Sequence, residues 1–285
     1  MELRDAYFST LHARCARDPS IIILSGDFSA HWLDRIAHDF PHQYINAGIA
    51  EQNMVSVAAG LALEGRKPFV VGQNNFITLR AMDQVSVDLC QMALPVTLVG
   101  IGAGYTFSID SPTHHGVTDL GMMLQLPCDI YNVSDSSIAT ECAALEAVRP
   151  TYIRLGKGEV PDLNAAWLLN HNFDGYSIIY DADPMVVASG AMVAVAHDAV
   201  NGMAGLIDLY RPAPFPKYLT NDLRGRRVLV LEDNLCAPLS TMLRSHGIEC
   251  ESIAPTKYLF EFGTTEYLHS KAGIDAASLR AKING

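Results

Sequence analysis

The sequence predicts an α/β protein of two domains, each a mostly parallel sheet covered by helices. Three observations lead there. Through about the first 165 residues, short apolar runs alternate with helical segments, the order that builds a parallel sheet with crossover helices. A loop-rich stretch between Lys157 and Asp183, carrying Pro161, Asn164, Asn170, Asn172, Asp174 and Gly175, interrupts that alternation. A second alternation starts at Met185, in a chain whose 285 residues and 49% hydrophobic composition suffice for two cores. The expected division is a first domain over 1–165, a linker over 166–182 and a second domain over 183–285.

The elements follow in order. An N-terminal helix leads into Ile21–Leu24, a short apolar run that reads as a buried strand ending in Ser25-Gly26-Asp27. A turn at Gly48 opens a helix from Glu51. Pro68–Val71 reads as a second strand, Arg80–Cys90 as a helix and Pro95–Gly100 as a third strand, followed by Gly102, Gly104 and a loop around Asp110. In the second domain the strands fall at Met185–Ala188, Leu206–Tyr210 and Arg227–Leu231, with turns at Gly190 and Gly225. There is no internal repeat and no low-complexity segment.

Charge and composition exclude several functions. A net charge of −11 argues against nucleic acid, whose phosphates recruit Lys and Arg. No stretch approaches the roughly 20 apolar residues that span a bilayer, and the first residues lack a basic region followed by an apolar run. A soluble, cytoplasmic protein is expected. Cys15, Cys90, Cys128, Cys142, Cys236 and Cys250 show no Cys-x-x-Cys spacing and read as free thiols.

Asn46 to Met54 carries the strongest functional signal. The turn delivers one carboxylate, Glu51, to the first turn of a helix that is small-residue and nearly uncharged up to Glu64. An acid at a helix N-terminus is electrostatically favoured, and in this apolar setting it is expected to be buried against a polar ligand.

The segment Tyr44-Ile-Asn-Ala-Gly-Ile-Ala-Glu-Gln-Asn-Met-Val55, with Ala58–Ala62, Gly65–Phe69 and Asp110-Ser-Pro-Thr-His-His-Gly-Val-Thr-Asp119, resembles the pyrimidine-binding domain of transketolases and their thiamine-diphosphate relatives. The second half resembles their C-terminal domain less sharply, through Val186–Gly190 and Val228–Asn234, and lacks the usual glycine-rich run after Asn234. The resemblance implies two three-layer α/β/α domains, the second shortened. It implies that Glu51 bonds the ring nitrogen of the cofactor's aminopyrimidine, that Phe76 stacks on that ring, and that Asp27, Gln73 and Arg80 complete the cofactor site. Gln73 stands where relatives carry a second aromatic. Asp110 then reads a donor hydroxyl, and His114 passes a proton in the substrate channel. Asp119 supports a helix.

No diphosphate-binding motif is present, since Phe28 breaks the resemblance of Gly26-Asp27-Phe28 to Gly-Asp-Gly. The chain therefore looks like the C-terminal subunit of a split transketolase. The implied partner is a separate N-terminal subunit that holds the diphosphate through Mg2+, or Ca2+ or Mn2+, in an α2β2 heterotetramer; no metal is assigned to this chain. A zinc site at Asp110, His114 and His115 is disfavoured, because adjacent His side chains diverge in extended chain.

Ketose and aldose substrates follow from the same resemblance. Arg4 matches an Arg that holds a terminal phosphate, but Gly102 stands where many relatives have His and Lys157 where they have Arg, so phosphate recognition is expected to be weakened or rearranged. Ser111 replaces a common Gly. The alternatives are another thiamine-diphosphate ligase, resembling deoxyxylulose-phosphate synthase or passing the two-carbon unit to a carrier thiol, and a regulatory or scaffold subunit without turnover.

Overall fold

The computed structural model describes residues 2–158, 160–168 and 173–285. The first sheet has six strands: β1 Ile21–Ser25, β2 Tyr44–Asn46, β3 Lys67–Gln73, β4 Thr97–Ile101, β5 Asp129–Val133 and β6 Thr151–Leu155. Every pairing in it is parallel, in the order β2-β1-β3-β4-β6-β5. Helix Leu3–Cys15 buries Leu3, Ala6, Tyr7, Phe8 and Leu11, roughly one helical face, against the helix Ser136–Ala144 and one side of the sheet. On the other side the helix Glu51–Leu63 packs with Ile77, Ala81, Val85 and Leu89.

The second sheet comprises β7 Ser177–Tyr180, β8 Met185–Ala188, β9 Gly205–Asp208, β10 Val228–Leu231 and β11 Glu251–Ile253, in the order β11-β10-β8-β9-β7. Only β7 is antiparallel. Helices cover both of its faces, so it too is three-layered.

Two expectations need correction. β7 falls inside the stretch expected as linker; Ser177-Ile-Ile-Tyr180 is a short apolar run that shields the edge of β9, and polar neighbours hid it. Residues 169–172 of that stretch lie outside those described. The helix expected over Arg80–Cys90 is instead π-helical at Phe76–Arg80 and Val85–Gln91, with one α-turn at Met82–Gln84 between. A wide turn of this kind accommodates one extra residue in a helix and often accompanies a functional site.

The domains share a polar and aromatic seam. The backbone N–H groups of Ile130 and Asn132, on edge strand β5, donate to the Ala213 and Tyr210 carbonyls, which caps that edge. Phe173 stacks between Tyr131 and Tyr210 at 5.7 and 4.8 Å. Among the described residues no helix is long and apolar enough to cross a membrane.

Candidate active site

Strand order in the first sheet reverses between β1 and β3: the chain steps outward from β1 to β2, then returns to the other side of β1. In parallel sheets the crevice outside the carboxyl ends of the strands at such a point is where ligands bind. Here a cavity of about 280 Å³ opens at that place, lined by Gly26, Asp27, Phe28, Ile49, Glu51, Gln73, Phe76, Phe107, Asp110 and His114.

Local sequence explains how the walls are set. After β2, the Asn46 side chain accepts from the Gly48 N–H at 2.9 Å, and Gly48 takes φ +68°, a turn that most side chains resist. Helix Glu51–Leu63 starts three residues later. Gly26 lets β1 end against this turn, since a Cβ there would lie 2.9 Å from Met54 Sδ. Glu51 is thereby brought inside, at 5% exposure. Its Oε2 accepts from Arg80 Nη1 at 2.8 Å, while Oε1 takes no hydrogen bond among the described residues. Arg80 follows Phe76 by four residues within the π-turn, and its guanidinium lies 4.1 Å from the centre of the Phe76 ring. Arg80 is 43% exposed on its outer side, so this ion pair has one face in water.

The opposite wall is the loop around Asp110. Ser111 sits at φ +86°, ψ 164°, a region that glycine enters freely and other residues enter at a cost. The loop is clamped by three successive amide residues at the end of β3, none of whose tethers the sequence reading foresaw. Gln73 Nε2 donates to the His114 carbonyl at 3.1 Å, Asn75 Nδ2 to the His115 carbonyl at 2.7 Å, and Asn74 packs so tightly on Gly116 that a Cβ there would meet it at 2.5 Å. The two histidines diverge. His114 faces the cavity, edge-on to Phe76 at 5.4 Å, whereas His115 is buried edge-on to Tyr105 at 5.0 Å.

Behind the loop lies a buried ion network. Arg154, on β6 and fully buried, donates to Asp119 Oδ2 (2.7 Å), Asp233 Oδ2 (3.1 Å), Asn132 Oδ1 (3.2 Å) and the Gly116 carbonyl (2.7 Å). Burial opposes its charge, but the Asp119 and Asp233 carboxylates outweigh that and raise its pKa. Asn234 adds two links, accepting from the Leu120 N–H at 3.0 Å and donating to Asp119 Oδ1 at 3.4 Å. Asp233 and Asn234 belong to the second domain. The only local sign of this network was the acidic end of the Val228–Asn234 run.

Six of the nine candidate residues, Asp27, Glu51, Gln73, Phe76, Asp110 and His114, thus line one cavity. Arg80 reaches it through Glu51 and Phe76. Lys157 lies beside it, its Nζ 5.4 Å from the centre of the Phe107 ring. Arg4 does not line it and is held by Glu2 Oε1, at 2.9 and 2.6 Å from Nε and Nη2. Gly102 has a physical reason to be glycine: at φ +96° a Cβ there would lie 2.2 Å from the Phe107 ring, so the side chain found in relatives has no room.

Comparison with known proteins places this geometry. Residues 1–162 match the family model described as transketolase, pyrimidine binding domain. An apulose-4-phosphate transketolase subunit of Phocaeicola vulgatus is 29% identical over 69% of this chain, and the chain spans 64% of that protein. The 6-deoxy-6-sulfo-D-fructose transketolase subunit SqwH of Clostridium sp. (strain MSTE9) is 28% identical, with 97% of this chain and 92% of that one aligned. A 1-deoxy-D-xylulose-5-phosphate synthase 1 of Geobacter metallireducens is 30% identical over 94% of this chain, which spans 46% of that longer protein. Among solved structures, a split gene transketolase described as an inactive beta4 tetramer superposes with a TM-score of 0.85 at 25% identity, covering all of this chain and 97% of its own.

Proposed function

We propose, since this chain belongs to the transketolase pyrimidine-binding family, that it is the C-terminal subunit of a split transketolase, moving a two-carbon ketol unit from a ketose to an aldehyde with a partner subunit. The observation that carries the reading is the buried Glu51 carboxylate, one oxygen uncommitted, on the wall of a cavity that also presents the Phe76 ring. The family is one of thiamine-diphosphate enzymes, and these residues fit the cofactor's aminopyrimidine: a flat apolar ring for stacking and a buried acid, one oxygen uncommitted, for a ring nitrogen. Bound there, the cofactor supplies an electron sink for breaking and making a carbon–carbon bond beside a carbonyl. Glu51 holds a proton shared with the ring, Arg80 orients Glu51, and Asp27 and Phe28 close the near side. Asp110 accepts from a substrate hydroxyl, and His114 moves a proton at a substrate oxygen, a role for an imidazole near neutrality. Lys157, beside the Phe107 ring, stands toward the far end of the substrate.

A diphosphate needs cations or a metal, and Arg80 is already engaged by Glu51. The partner supplies that half of the site, with magnesium, in an α2β2 assembly. Exposed Ile49 and Ile109 near the cavity, with Val57 and Leu79 on the segments bearing Glu51 and Phe76 and Val87 on the π-helical segment Val85–Gln91, are suited to be covered by it. The relative named for apulose 4-phosphate and that named for a sulfofructose support an acidic substrate of a specialised route. The test is to co-express the chain with its diphosphate-binding partner and assay two-carbon transfer with thiamine diphosphate and magnesium. Turnover by the complex and by neither chain alone is expected; a complex that binds cofactor and transfers nothing across a broad ketose panel would count against the proposal.

A further inference from the structure

Gln73 ends β3 with its side chain 7% exposed, and the two ends of its amide differ. Nε2 donates to the His114 carbonyl, which fixes the orientation, because a carbonyl can only accept. Oε1 is buried, on a residue lining the cavity, with no partner among the described residues. A buried amide oxygen without a donor is unfavourable, and a ligand hydroxyl in the cavity is a group that would satisfy it.

We infer that Gln73 is a specificity residue whose Oε1 accepts a hydrogen bond from one hydroxyl of the bound ketose, while the other end of the same amide holds the His114 backbone. This rests on the proposed function above. The side of the cavity nearest His114 offers acceptors, the Asp110 carboxylate and the Gln73 carbonyl, and hydroxyls are the ketose groups that donate to them. Groups that only accept, such as phosphate, find no partner at Gln73 Oε1. The other wall, with the uncommitted Glu51 oxygen and the Phe76 ring, is the one suited to the cofactor ring.

The test uses the assembled complex with thiamine diphosphate and magnesium, titrated calorimetrically with D-fructose and its 1-, 3-, 4- and 5-deoxy analogues. In the wild type one analogue is expected to bind roughly 10-fold or more weakly than the parent, the cost of an unmet buried acceptor. Gln73→Leu, which removes the acceptor together with the tether to the His114 carbonyl, should erase that difference to within about twofold while leaving thiamine diphosphate affinity unchanged, because the cofactor ring sits on the Glu51 and Phe76 wall. Gln73→Glu, whose carboxyl keeps an acceptor oxygen at that place, should preserve the difference. Discrimination unchanged in Gln73→Leu would overturn the inference, as would a loss of cofactor affinity with discrimination intact, or a wild-type complex that binds all five sugars alike or none. Failure of the wild-type complex to transfer a two-carbon unit would instead strike the proposed function, and is read separately from the binding pattern.

Discussion

Both sheets of this molecule carry polar side chains at the carboxyl ends of parallel strands, but they use them differently. In the first, Asp27, Glu51 and Gln73 face a cavity, and two of these side chains keep an oxygen without a hydrogen bond among the described residues. In the second, most of the polar groups are turned to structure. Glu232 accepts from Leu239 N at 2.8 Å and Ser240 Oγ at 2.6 Å, capping a helix, and Asp233 and Asn234 brace the loop of the first domain. Asp208 accepts from Ser134 Oγ and, at 2.8 Å, from Asn164 Nδ2. The same architecture thus yields a site in one domain and a buttress in the other. What separates them is whether the strand-end groups meet open space or a neighbouring domain.

The buttress can be broken most severely at Arg154. Arg154→Met leaves Asp119 and Asp233 buried without a counter-charge, and a loss of about 3–5 kcal/mol is expected in urea unfolding. Asp208 gives a pH-dependent effect of intermediate size. Burial raises its pKa to about 8, so the folded state holds a proton that the unfolded chain, at about 3.9, releases. Its contribution is full below the unfolded value and is lost as pH rises through about 8. Asp208→Asn should therefore raise Tm by an amount that grows between pH 5 and pH 8.5, several degrees at the upper end at roughly 2–4 °C per kcal/mol. Glu232, raised to about 7 by burial, steepens the same slope in the parent protein. On the cavity side, Phe76→Ala should weaken thiamine diphosphate binding to the complex about tenfold, since a lost stacking face is worth about 1 kcal/mol beyond its buried area, with Tm nearly unchanged. Smallest is Ser111→Gly, expected to add about 1 kcal/mol of stability by relieving a positive φ, read as a higher urea midpoint.

Much of this contrast could be read from the sequence, and the rest has identifiable reasons for being hidden. β1, β3, β4, β8, β9 and β10 announce themselves because strands buried on both faces are continuous apolar runs. β5 and β6 do not, since Asn132 and Arg154 interrupt their runs; those polar residues are affordable only because of partners 22 to 79 residues away. β2 and β11, three residues each, fall below any pattern. In the site, Glu51, Phe76, Asp110 and His114 were legible through the family motif. The Arg80–Glu51 bond joins residues 29 apart on different elements, a pairing that no local pattern announces. The amide clamp of Gln73 and Asn75 acts across about 40 residues, on backbone carbonyls that carry no sequence signal.

The contrast between working and buttressing acids is tested most directly by paired substitutions, Glu51→Gln and Glu232→Gln, in the complex with the partner subunit. Two-carbon transfer and thermal stability would be measured for both. Glu51→Gln is expected to lower transfer by about 10²–10⁴-fold, the usual scale for a lost acid–base group, with assembly intact and Tm close to wild type. Glu232→Gln is expected to shift Tm and its pH dependence while leaving transfer within about twofold, because its carboxylate bonds Leu239 and Ser240 of the helix it caps, away from the cavity. Full transfer by the Glu51→Gln complex would contradict the account.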